Sequence, residues 1–249
     1  MQENSGFKHI EAGNVFSLAK QNPWAAGCTL SGELINNQAI DAEIFSLAPH
    51  TQISPESYAT EKLWLVLDGS MKPVWFDAKK DKPREGSANA STTDAANADS
   101  QKPDTPMGPG DALIVAMATA AGVRSDVGCI YLDIQFKERN AMNDQVKSGE
   151  VFKLADLLPY QEDKIVNMDI VDQDDLHFAL MSFSAETSLK EHAAPGEAIV
   201  FALDGDGIIG YEGKEYPIHA GENFKFDKGG KHYVKAVSNF KMALLLVTA

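Results

Sequence analysis

The chain is short of cysteine. It has two in 249 residues, Cys28 and Cys129. They lie far apart and form no CxxC, so neither a disulfide framework nor a zinc knuckle holds the fold. The reading is two buried free thiols in a reducing compartment, with a single bridge as the alternative. Basic residues are also scarce: 22 Lys and Arg against 36 Asp and Glu give a formal charge of −14. Binding to polyphosphate needs a basic face, so the balance argues against nucleic acid and against an anionic membrane as partners. The acidity reads as a solvating surface. Long apolar runs are missing: MALLLV near the end is strand length, too short to span a bilayer. The opening residues, MQENSGFKHIEAG, show no basic region followed by an apolar one, so no secretory signal is expected and a soluble, cytoplasmic protein is. No Ser/His/Asp order, phosphate loop or GxGxxG fingerprint occurs, and long amphipathic helical periodicity is absent.

What is present is apolar and says the same thing twice. With 44% hydrophobic residues the chain can build a sizeable core, to which its 12 Phe, 6 Tyr and 3 Trp belong in the simplest reading. AGNVFSLA begins at Ala12 and SGEVFKLA at Ser148, an offset of 136. EKLWLVLDGS from Glu61 is answered at the same offset of 136 by EAIVFALDGD from Glu197. Two distant matches at one offset indicate a duplicated module. Further on, Gly110 of GPGDALIV matches Gly221 of HAGENFKF at an offset of 111, so the first copy carries 136 − 111 = 25 extra residues. They belong to a low-complexity insertion at about 77–107, where Gly86 to Pro106 has no aromatic and no Val, Ile, Leu or Met. Such a segment buries too little to offset its ordering entropy, and a surface loop is expected there. The polar stretch from Lys137 to Gly149 reads as a linker, which divides the chain at about 1–140 and 141–249.

Each module reads as strands. His177–Ala185, Ala198–Leu203, Gly207–Gly213, Asn223–Phe226 and Phe240–Val247 are short, rich in β-branched or aromatic residues, and separated by glycine turns. Asp204-Gly205-Asp206-Gly207 lacks the later ligands of a calcium loop and reads as a hairpin turn. Many short strands at roughly 8–12-residue spacing indicate an antiparallel sandwich or barrel.

The second module resembles the cupin superfamily over most of 176–247, and through the repeat the resemblance extends more weakly to about 40–136. The first cupin motif runs G-x5-H-x-H-x3-4-E-x6-G and the second G-x5-P-x-G-x2-H-x3-N. Counting back from Gly205 places Ala198 at the glutamate position, Ala194 at the second histidine and His192 at the first. Counting on from Gly221 gives Asp227 at the proline, then Gly229, His232, and Ala236 at the asparagine. HAAPGEAIVFALDG also resembles a subgroup of small one-domain cupins. The resemblance implies an all-β chain of two cupin jelly-roll barrels in tandem, packed as two subunits of a one-domain cupin dimer would pack.

It also implies what the site would be. Three imidazoles and a carboxylate inside such a barrel suit Fe, Mn, Ni, Zn or Cu and leave positions open for substrate. This chain keeps His192 and His232 only, so the pair is read either as two ligands of a divalent transition metal or as a hydrogen-bonded or ligand-contacting pair. Glu197 and His177 are the further candidates for ligand binding. Alternation turns Glu197 away from the pair unless a bulge intervenes; His177 could point inward with Ala179 and Met181. His219 reads as a surface or core-edge residue, and His9 and His50 carry no context. In the first module the motif positions fall on Glu56, Tyr58 and Lys62, and a lysine there would repel a cation, so no metal is expected in that barrel. Tyr58, Trp64 and Trp75 read as core, with a pocket lining as the alternative. The expected function is small-molecule binding in the C-terminal barrel. A metal-dependent dioxygenase, decarboxylase or isomerase is the alternative, and a regulatory or interaction protein a third. The expected partner is a small molecule, and the state a monomer or homodimer.

Overall fold

The computed structural model describes residues 6–76, 104–138, 142–143 and 145–248. Most of the low-complexity insertion and part of the linker lie outside them. In chain order the first half carries β1 (Val15–Phe16), α1 (Leu18–Gln21), β2 (Thr29–Asn36), β3 (Ile40–Leu47), β4 (Thr51–Glu56), β5 (Lys62–Gly69), β6 (Lys72–Trp75), β7 (Asp111–Val115), β8 (Ala121–Ser125) and β9 (Cys129–Phe136). The second carries β10 (Val151–Lys153), a 3-10 turn at Leu154–Leu157, β11 (Ile165–Asp172), β12 (Leu176–Phe183), β13 (His192–Ala193), β14 (Glu197–Asp204), β15 (Asp206–Tyr211), β16 (Lys214–His219), β17 (Asn223–Phe226), β18 (Lys231–Ala236) and β19 (Phe240–Val247).

Each half is a larger sheet facing a smaller one. The larger sheets run β10-β7-β5-β9-β3-β2 and β1-β17-β14-β19-β12-β11; the smaller run β4-β8-β6 and β13-β18-β15-β16. Every pairing of named strands is antiparallel, as in the jelly-roll architecture. The two larger sheets pack back to back. Leu63, Leu65, Leu132 and Ile134 of the first meet Phe178, Leu180, Ile199 and Leu245 of the second in one shared core. The opposite faces of the same strands point into each roll: Trp64, Val66 and Tyr131 in the first, Val200, Phe224 and Met242 in the second. Burial on both faces is why LWLVL and AIVFAL read as unbroken apolar runs. Each buried Leu, Ile or Phe contributes about 1.5–3 kcal/mol relative to exposure.

The repeat is visible atom by atom. Both LDG segments carry a bulge, between Val66 and Asp68 and between Ala202 and Asp204. Gly69 (φ 74) and Gly205 (φ 73) follow it. A Cβ there would lie 2.2 Å from the Gly128 carbonyl oxygen and 1.8 Å from that of Asn239, so the two glycines are needed for the backbone to turn so close to a neighbouring strand. The DGDG stretch is therefore not a hairpin: β14 and β15 belong to different sheets, and Gly205 makes the corner between them.

The first repeated segment of each half lands on the other half. In AGNVFSLA, Val15 and Phe16 pair with Phe224 and Asn223 of β17. In SGEVFKLA, Val151 and Phe152 pair with Leu113 and Ala112 of β7. Buried Asn223 fixes the first exchange, accepting the Leu18 N–H at 3.0 Å and donating to the Val200 carbonyl at 3.2 Å.

Both cysteines are free, and one departs from expectation. Cys129 is buried, which together with Asp68 pushes its thiol up to about 12. Cys28 is exposed, because it sits in the loop before β2 rather than on a core-facing strand position.

Candidate functional site

His192 and His232 face each other across the β13–β18 pair, with ring centroids 4.2 Å apart. Residues forty positions apart are joined because β13 is a two-residue strand paired to β18 at the edge of the smaller sheet. His192 is exposed. His232 is 7% exposed and stacks on Phe226, centroids 4.0 Å apart and planes at 23°. The next residue across the sheet is Tyr211, whose ring contacts Phe224 and Phe226. The pair thus lies on an aromatic floor that fills the roll beneath it.

The backbone decides which nitrogens are offered. His192 Nδ1 lies 3.0 Å from the Lys190 carbonyl oxygen, and His232 Nδ1 lies 3.1 Å from that of Gly230. A carbonyl only accepts, so Nδ1 carries the proton, and in the neutral ring the Nε2 lone pair is left free. For His232 burial pushes the imidazole below its ordinary value, opposed by the Gly230 carbonyl, and the neighbouring His192 charge lowers it further. His232 is thereby held as a neutral acceptor.

The other candidates are elsewhere. Glu197 follows the alternation: its Oε2 accepts the Phe7 N–H at 3.0 Å and pairs with Lys225 at 3.1 Å. It shares the strand face of Ile199 and Phe201, turned toward the other half. Its work is to pin the N-terminal segment. His177 shares the inward face with Met181, but sits at the strand end, half-exposed, with Nδ1 2.8 Å from Asp172. In its cross-strand row, Leu246 and Ala198 separate it from Phe226. His219 is exposed and bonded to Asp206 at 2.7 Å, which raises its imidazole above the ordinary value.

A cupin metal needs more donors than this roll supplies. The other two motif positions are Ala194 and Ala198, 4% and 2% exposed and without a donor atom. Among the described residues, no group of three or more His, Cys, Asp or Glu side chains is placed to hold an ion. The residues present do not fit a complete ligand set.

Residues 179–248 match the family model described as Cupin domain, and this segment is a cupin domain. The whole chain has the fold of two such jelly rolls in tandem, as shown by its similarity to the "Cupin 2 conserved barrel domain protein" from Leptotrichia buccalis: TM-score 0.75, 23% identity, covering 96% of this chain and 98% of that one. It is also similar to a variant of salicylate 1,2-dioxygenase from Pseudoaminobacter salicylatoxidans, with TM-score 0.55, 12% identity and coverage of 87% and 76%. A putative glyoxylate-induced protein from Pseudomonas aeruginosa gives TM-score 0.53, 14% identity and coverage of 88% and 80%. At these identities the likeness is one of fold. No curated protein matches the chain. No helix among the described residues is long and apolar enough to cross a membrane.

The first roll repeats the geometry with other chemistry. The row His192–His232–Tyr211 becomes Glu56–Ala121–Trp75, paired in the same register. Tyr58 is half-buried and Trp64 is 4% exposed. Lys62, at the position of Ala198, is buried and forms an ion pair with Asp133 at 3.0 Å. Sequence reasoning did not single out Asp133 or its neighbour Glu43. The signal was acid within apolar strands, Asp133 in CIYLDIQF and Glu43 in IDAEIFSL, where the second copy has Leu244 and Ala179.

Proposed function

We propose that the chain is a small-molecule-binding cupin in which His192 and His232 form the contact in the C-terminal roll. The observation that supports this most is the pair of free Nε2 acceptors 4.2 Å apart by ring centroid, set on an aromatic floor where the remaining motif positions are alanine. Two Nε2 acceptors beside Phe226 and Tyr211 suit a ligand that brings hydroxyl or amine donors on a flat apolar body. The neutral His232 ring gives an anion no free donor. The acidic surface, net −14, favours the same choice.

The alternative is a metal-dependent enzyme of dioxygenase, decarboxylase or isomerase type, with His192 and His232 as ligands. The free Nε2 atoms favour it and the two alanines oppose it. Equilibrium dialysis against Zn, Ni, Mn and Fe(II) salts, followed by elemental analysis, separates the two. On the binding reading the protein retains well below one equivalent, while catechol or phenol raises the melting midpoint of the wild type and not of His232→Ala. Near-stoichiometric metal lost in His232→Ala would overturn it in favour of the enzyme.

A further inference from the structure

Two rows of side chains face the interior of the first roll. One runs Glu43–Asp133–Trp64–Leu113 across β3, β9, β5 and β7; the other runs Asp41–Gln135–Lys62–Val115. Lys62 and Asp133 are each 7% exposed. Lys62 Nζ donates to Asp133 Oδ2 at 3.0 Å, and the Trp64 indole N–H donates to the same oxygen at 3.1 Å. Both bonds go to Oδ2, so the two donors share one oxygen of the carboxylate. The ammonium also lies 3.5 Å from the centroid of the Tyr58 ring, whose hydroxyl donates to Glu56 at 2.8 Å. Tyr131 stacks on Phe45, centroids 5.2 Å apart, and meets Trp64 edge-on at 6.2 Å. Glu43, Phe45 and Gln135 are half-exposed, so the rows open toward solvent on the β3 side.

The second roll is an internal control. Where the first has Glu43, Asp133, Trp64 and Lys62, it has Ala179, Leu244, Val200 and Ala198 in the same cross-strand register. The sheet is therefore built equally well without the charges. Taking a lysine and an aspartate out of water carries a desolvation cost that an apolar filling avoids. Charges that the plan does not need, gathered against the Tyr58 and Trp64 rings beside a half-exposed rim, point to a ligand.

We propose that the interior of the first roll is a second, metal-free binding site, in which Lys62, Asp133 and Glu43 hold a neutral, hydroxyl-rich small molecule of the sugar or polyol class against Trp64 and Tyr58. The chemistry selects the class by exclusion. An anion would meet Asp41, Glu43, Glu56 and Asp133. A cation would find its place taken by the Lys62 ammonium. Hydroxyl groups accept from Lys62 and donate to the Asp133 carboxylate, and the apolar faces of a saturated ring suit the aromatic walls. Burial, helped by Asp41 and Asp133 and opposed by Lys62, raises the Glu43 carboxyl above its ordinary value.

The test is titration of the full chain with glucose, xylose and myo-inositol, followed by calorimetry and tryptophan fluorescence, with benzoate and choline as charged controls. At least one neutral probe is expected to saturate in the millimolar range or below, with no response to the controls. The double variant Lys62→Ala/Asp133→Leu installs the second roll's own side chains. It is expected to fold with a melting midpoint within a few degrees of the wild type and to bind at least tenfold more weakly. Glu43→Ala, on the half-exposed rim, gives an independent reading and is expected to weaken binding several-fold with the fold intact. The proposal is overturned if none of the three neutral probes binds, or if benzoate or choline binds in a Lys62-dependent way. It is equally overturned if the double variant fails to fold, which would make the charges structural, or if either variant binds as the wild type does.

Discussion

The two rolls share a backbone plan to the level of individual bulges, yet their side chains are divided in opposite ways. The second puts its polar groups at the rim, as His192 and His232, and fills the interior with Phe224, Phe226 and Tyr211. The first puts a carboxylate, Glu56, at the rim beside Ala121, and carries an ion pair inside. The plan fixes which positions face inward and which strands meet, and it leaves the chemistry at those positions open. A duplicated chain can therefore hold two different sites in one architecture, each showing what the other does not need.

Three perturbations test that contrast, in descending order of expected effect. Removing one member of the first roll's pair by Asp133→Ala leaves the Lys62 ammonium buried without a counter-ion. This is expected to cost about 3–5 kcal/mol in chemical denaturation; a loss under about 1 kcal/mol would mean that water reaches Lys62 freely and that the interiors differ less than described. Next is Asn223→Ala. Asn223 holds the exchanged first segment on the second half, whereas the equivalent position in the first half is Ala112. The variant leaves the buried Leu18 N–H without its partner, and about 1–3 kcal/mol is expected; no change would show that strand pairing alone secures the exchange.

The smallest effect concerns pH. Because burial lowers the His232 imidazole in the folded state, the unfolded chain takes up the proton first as pH falls. Stability from the neutral ring is thus complete above the ordinary imidazole value of about 6.5 and declines as pH drops through that value toward the folded one. His219, raised by Asp206, works in the opposite sense, but it is present in both proteins when wild type is compared with His232→Ala. The wild-type melting midpoint should fall by a few degrees more than the variant's between pH 7 and pH 5; parallel curves would show that the neutral ring contributes nothing.

Much of the fold was legible because backbone demands leave marks that side-chain chemistry does not overwrite. The LDG glycines must sit at positive φ under a neighbouring carbonyl, so they survive in both copies and fix the offset of 136. His192 and His232 were legible for a related reason: motif spacing is strand spacing, and it put them on adjacent strands. The placing of Glu197 on the opposite face followed from simple alternation. What stayed hidden was pairing between strands distant in sequence. Lys62 read as a residue hostile to a metal, and only the register of β5 against β9 shows that Asp133 waits beside it. The exchange of β1 and β10 was hidden for the same reason, since nothing in AGNVFSLA says which sheet its strand will join. Cys28 misled because an apolar residue type was assumed to follow the core, while its loop does not.

That exchange makes the molecule a clasp. Each half donates the strip of chain that closes the other's open border, so a nick between residues 138 and 150 would leave two fragments still hooked together by their crossed arms. Halves made separately would each lack a border strand and present bare β7 or β17 amides to whatever strand came by. The repeat does more than place two rolls on one string: it leaves each incomplete without its sibling.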